Sequence, residues 1–426
     1  MESQELIALI IFLLTYAIII SEKIHRTIIS MFGGLLLIAF GVLDQENAIH
    51  HIDFNTIGLL VGMMIIVGIT AETGVFQFIA VWLAQKVKGD PIKILVVLSL
   101  FTAFASAFLD NVTTVLLVVP VTLSITNQLK VNPIPYFISE IFASNIGGTA
   151  TMIGDPPNIM IGSAVKELTF LSFINNLAPV IAIIFIVTIF IFTILYRKHL
   201  KTTDDLIQHL LAQNPGDALK NPPLLKKCLF IIVLTIGGFF LHQFIHIETA
   251  TIALIGAFFL LLFTGEKYLE KAFESIEWTT LFFFIGLFVI VGGLVDTGLI
   301  AAFAKKAISL TGGELTATTM LILWMSAIIS AFVDNIPFVA TMIPMIKEMG
   351  KMGITDLNPL WWSLSLGACL GGNGTLIGAS ANLIVAGIAS KEGHHISFVK
   401  YLIFGFPIML VSILISTIYV YIRYLM

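Results

Sequence analysis

Long apolar stretches, separated by short polar segments, cover most of the chain. A helix needs about 20 predominantly apolar residues to cross the roughly 30 Å hydrocarbon core of a bilayer. The first stretch follows Glu2 and Glu5 instead of basic residues, and no small-residue cleavage site follows it, so it is predicted as a span and not as a signal peptide. The pattern predicts spans at approximately residues 5–21, 27–43, 55–72, 136–165, 174–196, 228–245, 249–264, 279–296, 360–390 and 401–422.

Four apolar regions are interrupted by polar residues near their middle. Residues 92–127 and 316–349 are too long for one span, and each contains a central Asp-Asn pair. Two legs of about 17 residues fit a helical hairpin that enters the membrane and returns to the same side. Residues 136–165 and 360–390 contain glycine-rich polar segments and are predicted as broken helices. Bare backbone is not tolerated against lipid, so the interruptions indicate a lined cavity or an ion site.

The two halves of the chain are copies of one unit. Residues recur at an offset of 224, without a gap between positions 52 and 158. We predict a first repeat at 1–198, a cytoplasmic linker at 199–227 and a second repeat at 228–426. The recurring pairs include Asp53 with Glu277, Asp110-Asn111 with Asp334-Asn335, Pro120 with Pro344, Gly147-Gly148 with Gly371-Gly372, and Asn158 with Asn382.

Counting the predicted crossings gives the fold class. We predict an all-α integral membrane protein of two repeats, each with five transmembrane crossings plus a re-entrant helical hairpin and a broken helix. An odd number of crossings requires the second repeat to be inverted relative to the first. With Lys23 and Arg26 placed in the cytoplasm, all but six of the 22 Lys and Arg fall on that side, as the positive-inside rule requires. The prediction is a multi-pass protein of the cytoplasmic membrane with both termini outside.

Composition supports the membrane assignment and excludes other classes. Hydrophobic residues make up 58% of the 426 residues and charged residues 11%, against about 25% charged residues in a soluble domain. The net charge of −4 on so apolar a chain excludes nucleic acid as an expected partner. Cys228 and Cys369 lie in apolar runs, so neither a disulfide framework nor a zinc cluster is predicted.

The hairpin tips form the first pair of candidate ion sites. An aspartate at membrane depth is expensive and is a functional candidate by default. Carboxylate and amide oxygens there could hold Na⁺ or an exchangeable proton, with Na⁺ at Asp110, Asn111, Asp334 and Asn335. The alternative is that each aspartate only caps the second leg of its hairpin. The tip residues are Asp110, Asn111, Thr113 and Thr114 in the first repeat, and Asp334, Asn335 and Pro337 in the second.

The broken helices form the second pair. Glycines let the backbone unwind, and free amides at a restarted helix suit an anion; close helix packing through small residues is the alternative. Asp155 has no acidic counterpart, because Ala379 occupies its matching position. Candidate ligands are Asn145, Gly148, Thr149, Thr151, Asp155, Asn158, Asn373, Thr375, Ser380 and Asn382, and predicted helix breaks are Gly147, Gly154, Pro156, Pro157, Pro337, Gly371, Gly372, Gly374 and Gly378.

Two further expectations concern single residues. Glu140 begins a predicted broken helix, and capping and a proton route are equally open for it. Trp82, Trp361 and Trp362 are predicted as anchors at the membrane–water interface.

The motifs Ser106-Ala-Phe-Leu-Asp-Asn-Val-Thr-Thr114 and Asn145-Ile-Gly-Gly-Thr-Ala-Thr-Met-Ile-Gly-Asp-Pro-Pro-Asn158, with their counterparts at 334–337 and 371–382, resemble the family of the melanosomal P protein. That family belongs to the ion transporter superfamily with arsenite permeases, NhaD-type sodium/proton antiporters and more distant dicarboxylate transporters. The resemblance covers essentially the whole chain. It implies a dimer with an elevator-like movement of the hairpin domain. In the dicarboxylate branch the hairpin tips carry the motif Ser-Asn-Thr. In this sequence Asp110 and Asp334 replace the two serines.

The expected function is secondary active transport of a small inorganic ion, an arsenite- or chloride-type anion, coupled to H⁺ or Na⁺. The alternatives are a Na⁺/H⁺ antiporter without an anion, a Na⁺-coupled dicarboxylate transporter, and an ion channel. An enzyme is not expected, because no paired nucleophile and base and no HExxH motif occur. The expected partners are the lipid bilayer, the transported ion and a second copy in a homodimer. No cofactor or ATP-binding signature is present, so ATP dependence would need a cytosolic partner ATPase.

Overall fold

The computed structural model describes residues 3–21 and 23–426, and the described chain is helical without a strand. Short 3₁₀ turns at Pro215–Ala218, Glu266–Tyr268 and Gly372–Gly374, and a π turn at Tyr421–Leu425, join or extend the α-helices. The α-helices are α1 Ser3–Ser21, α2 Arg26–Ala39, α3 Gln45–His50, α4 Phe54–Ala71, α5 Val75–Lys86, α6 Pro91–Phe108, α7 Asn111–Gln128, α8 Ile134–Thr149, α9 Pro156–Ala164, α10 Phe170–Tyr196, α11 Asp204–Leu211, α12 Pro222–Ile245, α13 Thr249–Thr264, α14 Leu269–Glu274, α15 Trp278–Asp296, α16 Leu299–Thr311, α17 Leu315–Phe332, α18 Asn335–Lys351, α19 Asn358–Gly371, α20 Ser380–Lys391 and α21 Phe398–Val420.

Helix bounds recur at the offset found in the sequence. The short helices α3 and α14 coincide at both ends when shifted by 224 residues, and so do the first residues of α7 and α18 and of α9 and α20. Helices α1 to α10 therefore correspond in order to α12 to α21. Helix α11 lies in the predicted linker, but α12 already begins at Pro222, six residues before the predicted start of the second repeat.

Eight helices of the described residues are long and apolar enough to cross a bilayer: α1, α4, α6, α10, α12, α15, α17 and α21 with its π turn. The other predicted spans are shorter or interrupted. Helix α2 has 14 residues, and α13 turns by 119° into the short segment that contains α14. The pairs α8/α9 and α19/α20 are the broken helices. The chain is an all-α, multi-pass membrane protein.

Helices α5 and α16 were missed by the sequence analysis. Each follows a Thr-Gly turn in which the glycine, Gly74 or Gly298, has a φ of 77°, a conformation that glycine adopts without cost. Each helix is shorter than a membrane span, so the search for span-length stretches does not detect it. They lead from α4 and α15 into the two hairpins, α6/α7 and α17/α18.

The two halves interlock. Helix α2 packs on α15 and α4 packs on α13, while α6 packs on α8 and α17 on α19. The second hairpin leg of each half contacts the restarted helix of the other, α7 with α20 and α18 with α9. This arrangement brings both hairpin tips and both helix breaks to one place.

Some predicted helix breaks are wrong. Gly147 lies inside α8, and Gly371 is the last residue of α19. Both serve close packing, because a Cβ there would come within 2.1 Å of the Ala103 carbonyl oxygen and 2.5 Å of the Ala327 carbonyl oxygen. Pro337 also lies inside a helix, in the first turn of α18, where its missing N–H costs no hydrogen bond.

The breaks themselves lie at residues 150–155 and 372–379, the second opening with a 3₁₀ turn. Gly154, Gly372, Gly374 and Gly378 fall in them, while Pro156 and Pro157 open α9 as the sequence predicted.

The anchor role expected for two tryptophans is also wrong. Trp361 and Trp362 are 3% and 2% exposed, since they belong to α19, which lies inside the bundle. The Trp362 ring packs edge-on against Phe173 at 5.2 Å between centroids. Trp82 is 42% exposed on α5.

Candidate functional site

The two hairpin aspartates begin the second legs of their hairpins. Asp110 caps α7 by accepting from the Thr113 amide at 2.9 Å and from the Thr113 hydroxyl. Asp334 caps α18 by accepting from the Ile336 amide at 3.0 Å through Oδ1. Both side chains belong to buried residues, 7% and 6% exposed. Capping is therefore real, but it leaves part of each carboxylate available for other contacts.

Arg26 supplies the main further contact of Asp334. Its Nη1 lies 2.6 Å from Asp334 Oδ2 and 2.5 Å from Ser380 Oγ, and Ser380 also donates to Asp334 Oδ2 at 2.8 Å. The guanidinium lies 4.9 Å from the centroid of the Phe283 ring. The sequence analysis used Arg26 only as a marker of topology. Its counterpart, Ala250, is the signal that could have identified it, because the arginine is a departure from the repeat.

Glu277 is a second residue that the sequence analysis missed. It was noted only as the counterpart of Asp53. It precedes α15, its Oε2 accepts from Thr280 Oγ1 at 3.0 Å, and its Oε1 is buried without a hydrogen-bond partner. Both carboxylate oxygens of Asp53, by contrast, accept hydrogen bonds, from the hydroxyls of Thr56 in α4 and Ser163 in α9. The exchange of Asp for a longer Glu at the matching position is the available signal.

Asp155 begins α9 but makes no capping hydrogen bond. Its Oδ1 accepts from Asn335 Nδ2 of the other half at 3.3 Å, and its Oδ2 is buried without a partner. The residue is fully buried. An unpaired carboxylate oxygen inside a protein costs free energy unless a proton or a cation satisfies it.

One small cavity joins these groups. It has a volume of about 10 Å³, about the least that holds one water molecule. Its polar lining comes from both repeats and consists of Arg26, Asp110, Asn111, Asp155, Glu277, Thr280, Asn335 and Ser380. We call this the acidic cavity.

A larger pocket adjoins the acidic cavity. It has a volume of about 280 Å³ and shares Arg26 and Ser380 with that cavity, and it also exposes Asp334. Its remaining wall is mostly aliphatic, with His25 at the edge. We call it the vestibule. The Arg26–Asp334 ion pair thus lies where the vestibule meets the acidic cavity.

Asparagines connect the two half-sites. Asn145 Nδ2 donates to Asn373 Oδ1 at 3.0 Å and to Asn382 Oδ1 at 2.9 Å, in the opposite half. Asn111 at the first hairpin tip donates to Asn145 Oδ1 at 3.1 Å. Asn373 Nδ2 is buried without a partner among the described atoms. Each half-site is thereby held to the other by neutral side chains.

Several predicted ligands satisfy the broken backbone instead. Asn158 Nδ2 donates to the carbonyls of Thr149 and Thr151 at 3.1 and 2.8 Å. Asn382 Nδ2 donates in the same way to Gly372 and Thr375 at 2.7 and 2.9 Å. These bonds replace the helical ones lost at each break, as the absence of water requires.

Hydroxyls and glycines complete the two breaks. Thr151 and Thr375 donate to the carbonyls of Ala107 and Ala331 at the hairpin ends, and Thr149 donates to Asn145. A Cβ on Gly148 would come within 2.4 Å of the Gly154 carbonyl oxygen. Thr114 Oγ1 is buried and unpartnered.

Glu140 lies in the middle of α8, so its capping interpretation is wrong. It is 1% exposed, accepts from the Thr122 hydroxyl, and leaves Oε2 without a partner. Its counterpart is Leu364, so the carboxyl is not part of the shared scaffold.

The arrangement suits small ions of both signs. Asp110, Asp155 and Glu277 line the acidic cavity together with Arg26, and Asp334 pairs with Arg26 where that cavity meets the vestibule. No three His, Cys, Asp or Glu side chains in residues 3–21 and 23–426 form a multi-ligand metal centre. A proton or a weakly held monovalent cation fits this donor set better than a tightly bound divalent metal does.

Broken helices that meet at a charged cavity inside a multi-pass helical protein define a membrane transporter. A family model described as citrate transporter, CitMHS, matches residues 16–367. The chain belongs to this family.

Relatives extend the match over the whole chain. An uncharacterized transporter of Mycobacterium bovis is 42% identical over 429 residues, covering 99% of both chains. The P protein of Mus musculus is 34% identical over 506 residues, covering 100% of this chain and 61% of that protein. The resemblance to the P protein is confirmed.

A solved structure shows the same fold. The YdaH transporter of Alcanivorax borkumensis superposes with a TM-score of 0.59 at 14% identity, covering 98% of each chain.

Proposed function

We propose that this protein is a secondary active transporter that couples movement of a small anion to H⁺ or Na⁺. One observation carries the proposal: three buried aspartates, the part-buried Glu277 and Arg26 line two adjoining pockets where the hairpin tips and the broken helices converge. A static scaffold would not keep three buried aspartates at membrane depth, because ionisable side chains there are expensive.

The acidic cavity is the proposed cation site. Asp155 Oδ2 and Glu277 Oε1 are buried oxygens without a hydrogen-bond partner among the described residues, and Asp110 lines the same small space. H⁺ or Na⁺ would neutralise these carboxylates and compensate for their desolvation. The site would then be emptied and refilled as the hairpins move relative to α2, α4, α13 and α15.

The vestibule is the proposed anion site. Arg26 and Ser380 offer N–H and O–H donors at its inner end, and Arg is the side chain best suited to recognise an oxyanion. A single guanidinium matches a small inorganic anion of the arsenite or chloride type. A tricarboxylate such as citrate, which the family description names, would need additional cations and is the alternative substrate.

Na⁺/H⁺ exchange without an anion is the second candidate. The observation that favours it is that Asp334 already pairs with Arg26 at 2.6 Å, so the guanidinium is not free. The remaining carboxylates would then bind the two cations alternately.

The test uses purified protein in liposomes with a pH-sensitive dye trapped inside. Sodium, lithium, chloride, arsenite, succinate and citrate are added one at a time, with empty liposomes as the control. Proton flux that requires one of the anions supports the proposal and identifies the substrate. Flux driven by sodium or lithium alone supports the exchanger. Current without stoichiometric coupling would indicate a channel and contradict both.

The remaining assignments are part of the same proposal. We place the protein in the cytoplasmic membrane as a homodimer with both termini outside, without a cofactor. The positive-inside bias of the loops supports the orientation.

A further inference from the structure

The Arg26–Asp334 ion pair joins α2 to the tip of the second hairpin. In the proposed function these two elements move relative to each other during transport. Arg26 is the first residue of α2, which packs on α15. Asp334 caps α18 of the hairpin, and Ser380 is the first residue of α20 of the broken helix. Nη1 contacts Asp334 Oδ2 at 2.6 Å and Ser380 Oγ at 2.5 Å. The pair lies at the inner end of the vestibule, with side-chain exposures of 24% and 7%. An ion entering there meets both charges at once.

Within residues 3–21 and 23–426, the ion pair is built only once. The position that matches Asp334 is Asp110, but the position that matches Arg26 is Ala250. Asp110 accepts hydrogen bonds from Thr113 and makes no ion pair in the described chain. The guanidinium is therefore not needed by the hairpin fold, since the first hairpin forms without one.

We propose that Arg26 and Asp334 exchange partners during transport, so that the anion binds Arg26 only while the cation binds Asp334. This inference rests on the proposed function and specifies its coupling as symport. The anion replaces Asp334 at the guanidinium. The released Asp334 carboxylate takes H⁺ or Na⁺ in place of Arg26. Ser380 Oγ, which now accepts from Arg26 and donates to Asp334, remains available as a donor to Asp334 or to the anion.

Charge balance makes the coupling obligatory. The empty site is neutral at this pair, because the two side chains neutralise each other. The doubly loaded site is neutral as well. Either ion alone leaves Arg26 or Asp334 without an opposite charge, which is unfavourable for side chains that are only 24% and 7% exposed. Each ion therefore raises the affinity for the other by the same factor.

The neighbouring titratable groups do not supply this coupling. Glu277, Asp110 and Asp155 line the acidic cavity behind the pair, but no cationic side chain is within salt-bridge distance of them in residues 3–21 and 23–426. His25 lines the vestibule and bonds the Thr27 amide at 3.4 Å. Cation binding at the acidic cavity can proceed without an anion, whereas binding at Asp334 cannot.

The experiment measures cation binding to the whole protein, and the differences between the variants give the part that depends on Asp334. The purified full chain is compared with Arg26→Gln, Arg26→Lys, Asp334→Asn and the double variant Arg26→Gln/Asp334→Asn. The exposed residue Arg197, which forms no ion pair in the described chain, gives the control Arg197→Gln. Bound radioactive sodium and the infrared band of a protonated carboxyl are recorded with and without chloride, arsenite or citrate.

We expect an anion to strengthen cation binding in the wild type and in Arg197→Gln. Arg26→Gln should bind the cation about tenfold to a thousandfold more tightly without any anion, because an adjacent Arg favours the bare carboxylate by that factor. The anion should no longer affect it. The double variant should lose the gain, and Arg26→Lys should restore part of the anion effect. The double variant should also elute as folded protein, because neither charge is left alone.

Unchanged or weaker cation binding in Arg26→Gln, with folding preserved, would overturn the inference. A wild type whose cation binding ignores all three anions would overturn it too. If liposomes show Na⁺/H⁺ exchange without an anion, the proposed function fails separately. Tighter cation binding in Arg26→Gln would then still show that Arg26 weakens cation binding at Asp334. It would not show that the ion pair couples the cation to an anion.

Discussion

At the hairpin tips, capping and ion binding use different oxygens of one carboxylate. Asp334 Oδ1 accepts from the Ile336 amide, while Oδ2 faces Arg26 and Ser380. From the sequence alone, capping and ion binding are alternative roles for each aspartate. The structure shows that a single side chain contributes the cap and still presents an oxygen to the pocket. An amide keeps the first contact and removes the charge, so it separates the two roles.

We expect Asp110→Asn and Asp334→Asn each to abolish coupled transport while leaving folding intact. The Asn carbonyl oxygen still caps the helix, since Asn and Asp are equally good caps. Flux into liposomes and size-exclusion elution give the two readouts. The control is Asp296→Asn. The Asp296 side chain is 36% exposed, its Oδ1 lies 3.1 Å from His51 Nε2, and it does not line the acidic cavity. Wild-type flux in either hairpin variant would refute the assignment of that aspartate.

Arg26 and Glu277 differ from their counterparts in the other repeat, Ala250 and Asp53, but the sequence does not show which residues they contact. The aspartates lie within motifs, and charge at membrane depth identified them. Arg26 and Glu277 stand at helix starts, where charged residues are ordinary, and only folding brings them within reach of residues 334 and 110. The sequence around Arg26 does not indicate that this residue pairs with Asp334 in the folded protein.

At the level of elements, each break in a helix is held by the asparagine that follows it. The side chains of Asn158 and Asn382 donate hydrogen bonds to backbone carbonyls that have lost their helical partners. These carbonyls belong to residues seven or more positions earlier in the chain. The sequence identified both residues as candidate ligands because polar side chains at membrane depth point to ions. It could not show that the backbone would use them, since that depends on how the break turns back on its own helix.

We expect Asn382→Leu to destabilise the protein strongly. The substitution leaves the carbonyls of Gly372 and Thr375 without their amide donor, at about 1–3 kcal/mol for each buried group. Thermal unfolding in detergent measures the effect. The matched control is Asn127→Leu at an exposed position of α7, where no carbonyl depends on the side chain. Equal melting temperatures for the two variants would contradict the structural role.

Glycines inside the helices separate packing from unwinding in the same elements. Gly147→Ala places a Cβ 2.1 Å from the Ala103 carbonyl oxygen of α6, which is backbone and cannot move aside alone. We expect a loss of folded protein, read by fluorescence-detected size exclusion. Gly387→Ala in α20 is the control, because nothing lies within 4 Å of its added Cβ. It should keep or raise stability, by about 0.5–1 kcal/mol. A normal yield of Gly147→Ala would contradict the packing role.

For the whole molecule, the offset of 224 residues predicted more than its motifs alone showed. The aligned region ended at position 158, yet the helix bounds continue the correspondence through α10 and α21. The interlocking of the halves could not be predicted, because the packing of α2 on α15 and of α4 on α13 leaves no pattern in the chain. Apolar letters specify that a helix is buried, but not which neighbour buries it.

The inverted arrangement of the repeats is the last prediction, and matched positions test it. Asn127 and Lys351 lie in the last turns of the second hairpin legs α7 and α18, are 224 residues apart, and are both exposed. If the repeats are inverted, Asn127→Cys faces the cytoplasm and Lys351→Cys faces outward. A membrane-impermeant thiol reagent applied to intact cells should label only Lys351→Cys, and permeabilisation should expose Asn127→Cys. Unsubstituted protein is the control, since Cys228 and Cys369 are both buried. Labelling of both variants from the same side would mean that the repeats are parallel. The two half-sites would then lack the inverted symmetry on which alternating access depends.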